Sequence, residues 1–280
     1  MKKDVYQIVT DRIIEELEKG RIPWVKPWSG KQTGSHNRIT GKPYSLLNQI
    51  LLSKSGEYAT FKQWSELGGK IRKGEKAEVV TFWKIQAIEE ENEDGEKIVK
   101  QIPLLRYYNV FHISQVEGVE PKEIKLNDLE PIAEAEKVKT DYIEREHIKI
   151  IETLSDKAFY SPAGDYIKVP EKEQYQNIEE FYSTLFHEMV HSTGHNSRLD
   201  RVELRDNAFF GSENYSKEEL TAEIGSATLL NMLGIETAKT FRNSSAYIQN
   251  WLQVLKNDNR FIISASSRAE KAVKYILNEQ

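Results

Sequence analysis

The 280 residues of this chain include no cysteine. That absence excludes disulfides, a cysteine nucleophile and any cysteine-ligated metal site. No apolar run reaches the about 18 residues that a membrane-spanning helix needs, so no membrane span is expected. The start, Met1-Lys2-Lys3-Asp4, leads into an amphipathic pattern instead of the apolar core of a signal peptide. A cytoplasmic location fits both absences. Internal repeats and low-complexity segments are missing too.

Acidic and basic residues nearly balance, at a net charge of −5, which by itself argues against nucleic acid as a partner. The distribution argues the other way. Residues 1–84 hold 16 Lys/Arg and 9 Asp/Glu, a net of +7, so residues 85–280 carry −5 − 7 = −12. Four of the five Trp also lie in those first 84 residues: Trp24, Trp28, Trp64 and Trp83. The asymmetry points to a basic binding module joined to an acidic domain. A length of 280 residues leaves room for both.

Residues 4–19 carry an apolar stripe at helical spacing, ended by Gly20. In the next segment, Pro23 and Pro27 hold the chain extended. Trp24 and Trp28 stand there among Arg21 and Lys26. Bases stack on rings while cations track phosphates, which is how single strands are held without strict sequence reading. The alternative is that both Trp anchor the segment to its own core. Arg38, Lys42 and Tyr44, in a turn over 37–44, and Arg72, Lys73 and Lys76, in a basic turn over 70–76, complete the candidate DNA contacts. Short helices are expected at 46–51 and 61–67, and strands at 77–83 and 104–113. Asp94-Gly95 would turn a solvated acidic hairpin tip. Together these describe a small α+β domain over 1–120. Residues 121–133, bearing Pro121 and Pro131, read as linker, and 134–280 as the second domain. That domain should hold a helix over 134–150 and a hairpin over 158–170. Helices over 216–232, 244–256 and 268–277 should follow.

The candidate chemistry sits in His187-Glu188-Met189-Val190-His191-Ser192-Thr193-Gly194-His195. Residues four apart on a helix share a face, so His187 and His191 can grip one divalent ion, with Glu188 beside the open position as a base. Asn177 and Glu180 read as an N-cap and capping box. Ile178, Phe181, Tyr182, Leu185 and Met189 form the buried stripe, with both His off it. A catalytic zinc site needs a third protein ligand. His195 lies four beyond His191, but Gly194 ends the helix first. The longer metzincin pattern fails because its last His position is Ser197. Glu219 and Glu223 share a face of the next helix and are the other candidates.

Glu219-x-x-Ala222-Glu223 resembles the E-x-x-A-D element of zincins with a Glu ligand. That resemblance implies Glu219 as ligand and Glu223 as the group that supports a ligand His. If Glu219 serves only a capping box with Ser216, Glu223 becomes the ligand instead. Over nearly its whole length the chain resembles the ArdC-type antirestriction proteins of plasmids, phages and other mobile elements. The resemblance rests on Ile22-Pro23-Trp24, Lys26-Pro27-Trp28, Asn37, Thr40-Gly41-Lys42-Pro43-Tyr44, Asn48 and Lys73-Gly74-Glu75-Lys76. In the second half it rests on the 187–195 motif, Arg198-Leu199 and Glu218-Glu219-Leu220-x-Ala222-Glu223. Ser192 departs from it where relatives often have Trp, a change expected at the cleft wall.

The resemblance implies a domain that binds single-stranded DNA, followed by a zincin-like metallopeptidase domain with Zn²⁺ as cofactor and a host restriction or other defence protein as target. His195, Tyr215 and Arg198 are candidate oxyanion donors. In zincins an edge strand ahead of the metal helix pairs with substrate, and the second strand of the 158–170 hairpin is the candidate. The alternative function is a non-catalytic single-strand-binding, protective protein with a structural zinc. A nuclease is a third reading, weakened because one His/His/Glu site lacks the two-metal cluster common in phosphodiester chemistry.

Overall fold

A computed structural model describes residues 4–24, 34–91, 97–122, 131–155, 157–175, 177–202, 213–235 and 244–279. The chain groups into two compact units: Met1–Val9 with Gly34–Glu123, and Thr10–Thr33 with Ile124–Gln280. Most of helix α1 (Val5–Glu18) and the Trp24 segment after it therefore group with the second unit. The sequence pattern groups them instead with a domain over 1–120.

In the first unit, β1 (His36–Asn37), β2 (Glu57–Ala59), β4 (Glu78–Glu91) and β5 (Lys97–His112) form a sheet in the order β1-β2-β5-β4. A second pair joins β3 (Lys70–Ile71) to β6 (Val116–Glu117). Helix α2 (Leu46–Leu51) is fixed to the outer strand β4 by one buried amide. Asn48 donates to the Thr81 carbonyl at 2.8 Å and accepts from the Thr81 N–H at 2.7 Å, as a neighbouring strand would. Helix α3 (Phe61–Glu66) starts on a Thr60–Gln63 capping box. Leu52, Tyr58, Val80 and Val110 form one of the small cores. Strands β4 and β5 pair without interruption from Glu78↔Val110 to Glu91↔Lys97, well beyond the two short strands expected. The Asp94-Gly95 turn lies outside the described residues.

The second unit holds α4 (Pro131–Glu146), β7 (Lys149–Thr153), β8 (Phe159–Ser161), β9 (Tyr166–Pro170), α5 (Ile178–Ser192), α6 (Glu213–Met232), α7 (Ser244–Asn257) and α8 (Phe261–Ile276). The expected 134–150 helix stops at Glu146, because His147 takes a left-handed backbone (φ 55°) and redirects the chain into β7. The sheet order is β7-β9-β8. Strand β9, expected as the edge strand, is thus paired on both sides and has no free ladder for a substrate; the edges are β7 and β8.

Asn177 caps α5 by accepting from the Glu180 N–H at 2.9 Å. Phe181, Tyr182, Leu185 and Met189 are fully buried, as their spacing requires. Each such side chain contributes about 1.5–3 kcal/mol of burial. Helix α6 packs closely against α5 at Gly225, where a Cβ would come within 2.8 Å of Val190 Cγ2. Ser226 also donates to the Ser183 carbonyl at 2.8 Å. This contact helps set Glu219 and Glu218, six and seven residues before Gly225 on α6, opposite the two His.

Candidate metal centre

Helix α5 presents His187 and His191 on one face, and α6 presents Glu219 toward them. The two Nε2 atoms lie 3.0 Å apart. Glu219 Oε2 is 3.6 Å from His187 Nε2, and its Oε1 is 3.4 Å from His191 Nε2. Two nitrogens bound tetrahedrally at about 2.05 Å lie roughly 3.3 Å apart, and a nitrogen–oxygen pair roughly 3.4 Å apart. The two Glu219 distances are to different carboxylate oxygens; taken one donor atom per residue, the three side chains lie within 4.8 Å of one another, close enough to hold one divalent ion. Among the described residues this is the one such group of His and acidic side chains.

Glu223 and His195 stand outside that group. Glu223 Oε1 lies 3.7 Å from Nδ1 of His187, on the far nitrogen of the ring. His195 falls beyond the helix end, where its ring bonds to Ser197 Oγ at 2.8 Å. Helix α6 begins at Glu213, so Ser216 lies inside it and is not an N-cap. The capping-box alternative for Glu219 therefore fails.

Glu218 is a site residue that the sequence reading assigned no role. Its buried carboxylate approaches His191 Nδ1 at 3.0 Å and receives Arg201 Nε–H at 2.8 Å. Arg201, also buried, donates further to Thr193 Oγ1 at 2.6 Å and to the Val190 carbonyl at 2.7 Å. Each imidazole thus has a carboxylate near Nδ1 and directs Nε2 at the shared position. The available signal was the third acid in Glu218-Glu219-x-x-x-Glu223, but its direction depends on where α6 starts.

These contacts govern the charges. Burial lowers the His191 imidazole, but hydrogen bonds to Glu218 and Glu219 outweigh it and push it up to about 10. Burial opposes His187 too, yet the bond to Glu219 leaves it raised. Burial would raise Glu218, but the Arg201 charge and the His191 bond draw it down to about 2. Glu219, despite burial, is held well below the usual carboxylate range by both His. Glu223 is raised, chiefly by burial.

Glu188 is 7% exposed and its charge reaches His187. Arg198, a candidate oxyanion donor, has all three guanidinium nitrogens bonded elsewhere. Its Nε donates to the Ser192 carbonyl at 2.7 Å, and its other nitrogens bond to Asp165 and to Tyr160 Oη. It ties the end of α5 to the β8–β9 hairpin. The Tyr215 side chain lies outside the described residues. Ser192 is fully buried against Tyr142 Oη at 2.8 Å, so it faces the core and not a cleft wall.

The candidate DNA residues differ in their local surroundings. Trp24 is 2% exposed and packs edge-on against Trp251, ring centroids 5.0 Å apart, so its ring is held in the core of the second unit. Arg21 pairs with Glu16. Arg38 is paired with buried Glu57, and Tyr44 packs on the Tyr58 core. Arg72 pairs with Glu75 at 2.8 Å. Lys42, Lys73 and Lys76 are exposed. Lys26 and Trp28 lie outside the described residues.

Residues 137–268 match the family described as zincin-like metallopeptidase, and residues 3–111 the N-terminal domain of anti-restriction factor ArdC. The antirestriction ArdC protein of plasmid R388 is similar across nearly everything. Its metal-free structure aligns at TM-score 0.75 and 35% identity over 99% of this chain and 100% of that one. Its Mn(II)-bound structure aligns at 0.75 and 34% over 99% and 98%. Two Escherichia coli DNA primases named TraC are 34% and 32% identical over 99% of this chain, which spans only 27% and 20% of their length. An uncharacterized protein of Sinorhizobium fredii is 30% identical over 99% of this chain and 92% of its own. No helix among the described residues is long and apolar enough to cross a membrane.

Proposed function

The chain belongs to the ArdC antirestriction family, and from that premise we propose that it serves a mobile genetic element in two ways: by binding single-stranded DNA through its first unit, and by hydrolysing a host defence protein at a zinc site in its second. One observation carries the hydrolytic half: His187, His191 and Glu219 converge within 4.8 Å, with Glu188 following His187 on the same helix. Two imidazoles and a carboxylate suit Zn²⁺. Mn(II), bound by the R388 relative, accepts the same donors and is the competing occupant.

When bound, the ion would polarise a substrate carbonyl and acidify a water. The protein's own side chains do the rest. Glu188, next to His187 on the helix, would hold the proton passed between the attacking water and the leaving amine. Glu218 and Glu223 orient the two rings, and Arg201 fixes Glu218. The side chains of His187 and Glu219 keep 19% and 16% of their surface exposed, so a substrate can approach them. A purely structural site closes all its positions with protein ligands. For the DNA half, the basic composition of residues 1–84 and the match to the ArdC N-terminal domain are the support.

Glu188→Gln tests the reading, since it keeps shape and removes the base. The variant should fold, retain metal and bind single strands, yet fail to protect incoming DNA from restriction. Full protection by the variant would leave the metal a structural role and binding alone as the activity.

A further inference from the structure

Side chains alternate between the two faces of the β4–β5 ribbon. Val80, Phe82 and Lys84 therefore share a face with their register partners Tyr108, Arg106 and Leu104. At the base of the ribbon this face is core, where Val80 and Val110 pack with Tyr58. It then opens to solvent. There the Phe82 and Tyr108 rings stack diagonally across the strands, with centroids 4.6 Å apart and planes 5° from parallel. Tyr108 is 55% exposed. Arg106, directly opposite Phe82, is exposed, as is Lys84.

The two faces differ in charge. Over the paired residues 78–88 and 100–110, all three cations, Lys84, Lys100 and Arg106, fall on the face of the stacked rings. The other face carries exposed Trp83 and Ile85 and no cation. Beyond Ile88 the sequence turns acidic, with Glu89, Glu90 and Glu91 in succession. An apolar protein partner would suit the cation-free face. A ligand with flat rings and an anionic backbone suits the other, near the base of the ribbon and away from the acidic tip.

We propose that the face bearing Phe82, Tyr108, Arg106 and Lys84 is where the first unit holds single-stranded DNA, the rings stacking on bases and the cations contacting phosphates. This rests on the reading of the first unit as a single-strand-binding module, and moves the stacking rings from Trp24 to the β4–β5 ribbon.

Fluorescence anisotropy of a labelled oligo(dT) with the full chain tests it. Tyr108→Ala and Phe82→Ala should each weaken binding about tenfold or more, while Tyr108→Phe keeps wild-type affinity. Arg106→Ala should also lower the slope of log affinity against log salt by about 0.7, a readout that misfolding does not mimic. Trp83→Ala, on the cation-free face, should bind within twofold of wild type. If wild type binds and the two ring variants bind equally well, or if Trp83→Ala carries the loss, this surface is wrong although the single-strand reading stands. If wild-type protein fails to bind the oligonucleotide, both fall.

Discussion

Nδ1 of His191 lies 3.0 Å from Oε1 of Glu218, while Nε2 of the same ring faces Glu219 at 3.4 Å. A carboxylate on one ring nitrogen fixes the tautomer that leaves the other lone pair for a metal. Glu218→Gln should therefore weaken metal binding about 10–100-fold, measured by competition with a chelating dye. Arg201→Lys keeps the charge but loses the forked contacts, and should give a smaller loss. Affinities within twofold of wild type for both would show that the pair has no part in orienting His191.

Protons compete with the metal for the same nitrogens. In metal-free protein His191 is raised from 6.5 to about 10. Its protonated form stabilises the fold fully below about 6.5, and that contribution is lost as pH rises toward 10. Glu218, drawn from 4.5 to about 2, has the opposite sign: its contribution is present above 4.5 and lost as pH falls toward 2. Metal must displace the imidazole proton, so affinity should rise about tenfold per pH unit for each proton displaced across the neutral range. Calorimetry in buffers of different ionisation enthalpy should show proton release on binding. Affinity independent of pH from 6 to 9 would contradict the raised imidazoles.

Gly225 lets α6 approach α5. A Cβ there would lie 2.8 Å from Cγ2 and 3.1 Å from Cγ1 of Val190, a fully buried side chain. Val is stiff at χ1 and cannot swing aside. Gly225→Ala gains about 0.8–1 kcal/mol of helix propensity but should lose about 1–3 kcal/mol to overpacking. Displacing Glu219 with its helix should also weaken metal binding. Adding Val190→Ala should recover part of the metal affinity. Recovery of none would place the defect elsewhere.

Trp24→Ala should destabilise the second unit by about 3–5 kcal/mol, seen in thermal unfolding, because Trp24 packs on Trp251. Single-strand affinity of the folded variant should stay within twofold of wild type. A tenfold loss with unchanged stability would restore Trp24 as a base-stacking residue.

What was readable in the sequence was local. His187, His191 and the Asn177 cap follow from spacing along one helix, and the buried stripe from its periodicity. The fate of Trp24 was not local, because its ring partner lies at Trp251, near the other end of the chain. Glu218 was missed because its direction depends on α6 starting at Glu213, ahead of the Ser216 that looked like a cap. Strand β7 was hidden because Ile148, Ile150 and Ile151 prolong an apolar pattern past His147, where left-handed backbone breaks the helix. The strands on either side of Phe82 and Tyr108 were foreseen, but which residues share a face needed the register between them.

Metal analysis of purified wild type, Glu219→Gln and Glu223→Gln tests the central claim most directly. The expected result is one zinc per chain in wild type, loss of it in Glu219→Gln, and retention with weakened affinity in Glu223→Gln. Wild-type protein without stoichiometric metal, or metal kept by Glu219→Gln and lost by Glu223→Gln, would contradict it.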